Sequence, residues 1–245
     1  MNKQKVPKLR FPGFTGEWQE KRLGDVAEIN PKTQKLPDEF IYIDLESVES
    51  GKLLKENEIT SDKAPSRAQR VLRKDDILYQ MVRPYQRNNL YFDLNDENKK
   101  YVASTGYAQL RSKDQPKFLY HYMHTNRFVN EVLDKCTGTS YPAINSSDLG
   151  AIKVAYPTHT EQKRIAEFLS DIDTKIEKLT RKKELTEHYK KGAMQKIFSQ
   201  KIRFKNENGK NYPDWEKLAS HYIWEDIFWK RKTQRIDWLE KEIRL

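Results

Sequence analysis

Apolar residues follow two rhythms along this chain. Up to about residue 157 they come in short runs rich in Ile, Val, Tyr and Phe: FIYIDL from Phe40, ILYQMV from Ile77, NLYFDL from Asn89 and YVASTGYAQL from Tyr101. Asp, Asn, Gly or Lys clusters bound each run, which is the pattern of β-strands. From Lys117 the spacing changes. Phe118, Tyr122, Phe128, Val132 and Leu133 fall near one face, which predicts a helix over KFLYHYMHTNRFVNEVLDKC. GTSYPAINSSDLGAIKVAYP then reads as a loop and a final strand. Residues 1 to about 25 read as an extended arm with turns at Pro12-Gly13 and Thr15-Gly16.

The second rhythm starts at Thr158. THTE has the form of a capping box, with Thr158 accepting from the first free N–H groups and Glu161 reaching back. Between there and Gln200 the chain has no Pro and one Gly, Gly192. Ile165, Leu169, Ile172, Ile176 and Leu179 step by four and three, a heptad seam. The seam slips and resumes at Leu185, Tyr189, Met194, Ile197 and Phe198. About 40 helical residues would run ~60 Å at a rise of 1.5 Å per residue. Most helix stability comes from packing such a stripe, so it needs a partner. The alternatives are the chain's own small domain and a helix from elsewhere, and the second is favoured. The expected class is α+β: an arm and β-rich mixed domain over 1–157, a long coiled-coil-forming helix over 158–200, and a third segment over 201–245.

That third segment repeats the beginning. LRFPGFTGEWQEKRL from Leu9 and IRFKNENGKNYPDWEKL from Ile202 share an aliphatic-Arg-Phe start, a Gly-containing turn and an acidic residue beside Trp. The offset is too long for a solenoid repeat. It equals one whole unit of arm, domain and helix, followed by the first lines of another.

Composition narrows the chemistry. The chain is 33% charged and 36% hydrophobic, as befits a solvated helix beside a modest core, and its net charge is +10. A basic surplus favours a polyanionic partner through counterion release. The single cysteine, Cys136, forms neither an internal disulfide nor a metal site and is expected as a small half-buried apolar residue. No apolar run approaches the ~20 residues of a membrane span. MNKQKVPKLRF lacks the apolar core of a signal peptide, so the expected location is cytoplasmic, without membrane contact.

Enzyme motifs are missing. Gly51-Lys52 and Gly209-Lys210 lack the upstream glycine and the Ser/Thr of a phosphate loop. Asn30-Pro31-Lys32 is a turn rather than a methyltransferase motif, and His121 and His124 are expected as solvated residues on one helix face. The positive signal is basic. Lys63, Arg67, Arg70, Arg73, Lys74, Arg83 and Arg87 stand against Asp62, Asp75 and Asp76, with Tyr79, Gln80, Tyr85 and Gln86 interleaved. Arg forks match phosphate oxygens or the guanine edge, and Gln pairs with adenine. Pro84 should turn Arg83, Tyr85, Gln86 and Arg87 out of the sheet. A second surface, Thr137, Thr139, Ser140, Tyr141, Asn145 and Ser146, offers short polar groups suited to phosphate positioning, or alternatively a polar turn closing the domain.

Several linked stretches resemble the DNA specificity (S) subunit of type I restriction–modification enzymes. They are PKLRFPGFTGEW, DDILYQMVRPYQR and, most specifically, GTSYPAINSSDLGAIKVAYPTHTEQKRIAEFLSDIDTKIEKL. The resemblance covers roughly residues 6 to 218 in the right order. It implies a target recognition domain that reads half of a split site in double-stranded DNA, without chemistry of its own. It implies partners as well: methyltransferase (M) subunits and restriction/motor (R) subunits, which would carry S-adenosylmethionine, ATP and Mg, with no cofactor in this chain. The DNA contacts expected are Lys63, Arg67, Arg70, Lys74, Arg83, Tyr85, Gln86, Arg87, Thr137, Thr139, Tyr141 and Asn145. The subunit interface expected is Gln162, Ile165, Leu169, Ile172, Ile176, Leu179, Leu185 and Tyr189.

The family carries two recognition domains and this sequence carries one. Past Leu218 the continuation departs from the Leu23-Gly24-Asp25 pattern. Two readings of that tail stay open: an early stop after a frameshift, or an amphipathic ending helix with Ile227, Leu239 and Ile243 as its face. A half-length subunit acting as a homodimer, or beside another S half, is the expectation. An inactive remnant and a coiled-coil adaptor are the alternatives, and the adaptor predicts little salt dependence.

Overall fold

Thr125 splits what the periodicity predicts as one helix. Its hydroxyl donates to Tyr122 O (2.8 Å) and accepts from Phe128 N (3.3 Å), closing one helix and capping the next. In a single straight helix the apolar stripe would drift off the core. With the break, Phe118, Leu119 and Met123 on one side and Phe128, Val129 and Val132 on the other all become buried.

The computed structural model describes residues 6–32, 35–94, 98–138 and 140–215. Thr139 and the tail from residue 216, with the two readings of its fold, lie outside them. The strands are β1 (Gln19–Arg22), β2 (Ala27–Ile29), β3 (Glu39–Ile43), β4 (Val48–Glu49), β5 (Lys52–Leu53), β6 (Asn57–Thr60), β7 (Ala68–Val71), β8 (Asp76–Gln80), β9 (Leu90–Phe92), β10 (Tyr101–Ser104), β11 (Tyr107–Ser112) and β12 (Lys153–Tyr156). The helices are α1 (Leu23–Val26), α2 (Pro116–Met123), α3 (Asn126–Leu133), α4 (Ser146–Gly150) and α5 (His159–Phe198). The fold is α+β.

Two four-stranded sheets carry the domain, in the orders β2-β11-β8-β9 and β6-β3-β10-β7. All pairs are antiparallel except β10 with β3. All five residues of β8 are buried, because the strand is covered on both faces. Ile77 and Tyr79 join α1–α4 in one core, while Leu78 joins Ile41, Ile43, Phe92 and Tyr101 in a second. This explains why the segment reads as a continuous apolar run rather than an alternating one. The half-buried Cys136 packs against the first core, and burial raises its thiol pKa.

The arm is tied in at both ends of its strand. β1 pairs antiparallel with β12, so the last strand before the long helix lies beside the first of the chain. The helix start departs from the capping-box expectation. Glu161 is buried and does not reach back. It receives Arg10 Nε and Nη2, both at 2.7 Å, and Trp18 Nε1 at 3.2 Å. A carboxylate taken out of water is better satisfied by a guanidinium fork than by one backbone N–H.

The residues fall into two compact units, divided after Lys178. Glu161, Gln162 and Ala166 are the buried residues of α5, whereas every residue from Asp171 to Lys190 is exposed. In the second unit, Ile202–Trp215 follows the helix as a turn-rich segment with an isolated bridge between Lys205 and Asn211.

Candidate nucleic-acid interface

The two surfaces proposed from sequence meet. Past β8 the backbone leaves its sheet and is taken up by the second loop. Met81 N donates to Gly106 O (3.0 Å), Ile144 N to Met81 O (3.1 Å) and Arg83 N to Pro142 O (2.8 Å). Val82 bridges Ala143, and Thr137 bridges Ala143 from the other side. Arg83 and Arg87 then adopt left-handed backbone, φ 54° and 56°, flanking a short 3-10 turn over Pro84–Gln86. Such conformations cost non-glycine residues about 1–3 kcal/mol each and persist only where the surroundings over-determine them.

The surroundings do so here. Gln80, buried at the end of β8, donates from Nε2 to Gln86 Oε1 (2.9 Å) and accepts from Asn88 N (3.1 Å), while its own N–H donates to Asn89 Oδ1 (2.8 Å). Arg87 donates to His124 O (3.1 Å) and Asn126 Oδ1 (2.6 Å), pinning the loop to the corner between α2 and α3. The loop is held by its own polar side chains.

These hydrogen bonds separate the expected contacts. Arg87 is engaged with the corner, and Gln86 with Gln80. Asn145 is the N-cap of α4: its Oδ1 accepts from Asp148 N (2.8 Å) and Ser147 Oγ (2.6 Å), and its Nδ2 donates to Asp148 Oδ2 (2.6 Å). Gln86, the glutamine expected at the DNA, shares its amide oxygen with the buried Gln80, whose own amide is spent inside the domain. Arg83 remains. Among the described residues no carboxylate meets it. Its guanidinium lies over the Tyr141 ring, 4.2 Å from the centroid, and both Tyr141 and Tyr85 are exposed. A guanidinium stacked on a ring is oriented without being neutralised, which leaves its fork available to an anion or a base edge.

Lys63, Arg67 and Lys74 are exposed, and among the described residues no side-chain contact joins them to this loop pair. Arg70 sits in β7, where burial lowers its pKa and leaves Nε without a partner. It is part of the second sheet rather than of the loops. On α5, Gln162 is drawn inward, donating to Asp114 Oδ2 (3.0 Å) and Pro157 O (2.9 Å), and Ile165 packs on the first core. Ile172, Ile176, Leu179, Leu185 and Tyr189 remain exposed.

His121 and His124 are half-buried, contrary to the solvated expectation. His124 Nδ1 lies 2.8 Å from Tyr120 O and Nε2 lies 3.2 Å from Asn89 Nδ2. The carbonyl needs a donor and the amide an acceptor, which selects the neutral tautomer with hydrogen on Nδ1. Burial lowers the pKa of both histidines below 6.5, and Arg87 lowers that of His124 further. Above that value both folded and unfolded chains are neutral. As pH falls below it, the unfolded chain takes up protons that the folded one resists, so stability declines. The urea midpoint should therefore fall between about pH 7 and pH 5, and His124→Gln should reduce this slope. An unchanged slope would remove His124 as its source. Asn88, Asn89 and Asn126 were not singled out from sequence, and the only local signal was the Asn-Asn pair following Arg87.

Among the described residues no cluster is suited to a metal ion, and no helix is long and apolar enough to cross a membrane. Residues 15–187 match the family described as the Type I restriction modification DNA specificity domain. The chain is 27% identical over 203 residues to the Type I restriction enzyme MjaVIII specificity subunit of Methanocaldococcus jannaschii, covering 78% of this chain and 48% of that protein. It is 25% identical over 172 residues to the HindI specificity subunit of Haemophilus influenzae, covering 66% and 36%. The crystal structure of the HsdS subunit from Thermoanaerobacter tengcongensis is similar with a TM-score of 0.57 at 27% identity, covering 81% of this chain and 51% of that one. The chain thus spans about half the length of the first curated relative and of the solved structure.

Proposed function

The chain belongs to the type I restriction modification DNA specificity family, and on that premise we propose that it reads one half of a split DNA site and pairs with a second half through α5. The observation that carries the reading is the convergence of two loops on an Arg83 that is oriented by Tyr141 and faces no carboxylate among the described residues. Arg83 and Tyr85 would approach base edges in the major groove. Lys63, Arg67 and Lys74, exposed and basic, would supply phosphate contacts that position without specifying. The chain adds no chemistry. M subunits would bring S-adenosylmethionine, and R subunits ATP and Mg.

The exposed stripe on α5 supports a dimer. Two copies related by an isologous two-fold axis would place identical readers on one duplex. Half-sites one turn apart are about 34 Å centre to centre, a span that a helix of ~60 Å bridges.

Methylation mapping tests this directly. The chain is co-expressed as the only specificity subunit with its cognate methyltransferase, and host DNA is sequenced for modified adenines. A split motif with inverted-repeat halves is expected. Unlike halves would sink the homodimer. No motif at all, from a methyltransferase active beside an intact S subunit, would sink the active half-subunit.

A further inference from the structure

We infer that Ile202–Trp215 is a second, preformed clasp, which holds the helix start of another copy of this domain as Leu9–Trp18 holds the helix start of its own. The two segments correspond in their hydrogen bonds although their spacing in sequence differs. In the first clasp Arg10 folds back onto main-chain carbonyls, Nη1 to Gly16 O (2.6 Å) and Nη2 to Thr15 O (3.2 Å). Those carbonyls stand two and three residues before Trp18. In the second, Arg203 Nη2 donates to Tyr212 O (2.8 Å) and to Pro213 O, three and two residues before Trp215. The tryptophan comes twelve residues after Arg203 rather than eight after Arg10. A turn closed by Asn206 N to Lys210 O (2.9 Å), with Gly209 at φ 73°, absorbs the difference. The same bracket is built twice on different loop lengths.

The first bracket is filled. Arg10 meets Glu161, whose side chain is 1% exposed, Phe11 meets Phe168 edge-on at 5.4 Å, and Trp18 Nε1 donates to Glu161. The second is not. Arg203 meets Asp214, whose side chain is 95% exposed. Among the described residues no helix-borne carboxylate reaches Arg203 and no ring meets Phe204, which is 69% exposed beside an exposed Ile202. Arg203 is half-buried, with its side chain 22% exposed, but the acidic side of the pair is solvated, so Asp214 contributes little and is readily exchanged for another carboxylate.

What fits is set by the first clasp: a helix start with a carboxylate in its first turn and a phenylalanine seven residues on. Glu161 and Phe168 of a second copy have this chemistry. Exchange of equivalent elements between copies is a low-cost route to association, since the incoming arm replaces an arm of the same kind.

The test uses full-length chains without DNA, so its failure is separate from failure of the DNA reading. A donor copy carries the photo-reactive benzoylphenylalanine at Phe204. An isotope-labelled acceptor carries Arg10→Ala and Phe11→Ala, which empties its own socket. The expected result is a cross-link from donor to the acceptor's 159–168 peptide, reduced several-fold by Arg203→Ala in the donor or Glu161→Gln in the acceptor. If the double variant does not fold, Phe11→Ala alone serves as acceptor and should raise the yield over the wild-type acceptor. Cross-links confined to the donor's own chain, none at all, or a yield indifferent to both substitutions would overturn the inference.

Discussion

Asp76→Ala is expected to lower the stability of the domain by about 3–5 kcal/mol, the usual cost of breaking a buried ion pair from one side. Asp76 is fully buried at the start of β8. Arg111 donates to it twice, Nε to Oδ1 and Nη2 to Oδ2, each at 2.9 Å. Gln109 Nε2 (2.7 Å) and Arg73 N (2.8 Å) complete its shell. Removing the carboxylate leaves a guanidinium, an amide and a backbone N–H without their acceptor. Asp76→Asn keeps one oxygen and should cost less. Replacing Asp76 and Arg111 together by apolar residues of similar volume should recover much of the loss, because the desolvation of both charges is then avoided. Urea unfolding monitored by tryptophan fluorescence measures all three. A loss below about 1 kcal/mol for Asp76→Ala would mean that water enters and solvates the orphaned groups. The consequence reaches the site: β8 runs from Asp76 to Gln80, and Gln80 holds the loop that presents Arg83.

The second large effect concerns association. Ile172→Glu with Ile176→Glu should weaken pairing of copies by more than about a hundredfold while leaving the domain folded. An Ile kept from burial forfeits about 1.5–3 kcal/mol, and an isologous interface counts each substitution twice. Both positions are exposed in the single chain, 40% and 55%, so the fold itself should change by less than about 0.5 kcal/mol. Sedimentation velocity should show a monomer, and the split methylation motif should vanish with the dimer. A variant that stays dimeric, or one that turns monomeric yet still directs the same motif, would contradict the proposed role of α5.

Periodicity within a few neighbouring residues was enough for the α+β class, for six of the twelve described strands and for the long helix, because each is a local pattern. The sequence also marked the loop from Arg83 to Arg87 and the repeated arm. It did not separate Arg83 from Arg87, which have the same side chain in the same turn. That distinction comes from the corner at His124 and Asn126, 37 and 39 residues away from Arg87, which engages one arginine and not the other. The capping box at Thr158 was a sound local pattern that lost to Arg10, 151 residues from Glu161, because a buried carboxylate favours a charged fork. Thr125 reads as an ordinary polar residue within an amphipathic run until two core faces must be reached by one segment. Local chemistry proposes the partners of each polar group. Only closure of the chain, which buries some of those groups and brings distant ones within 3 Å, decided which partner each one took.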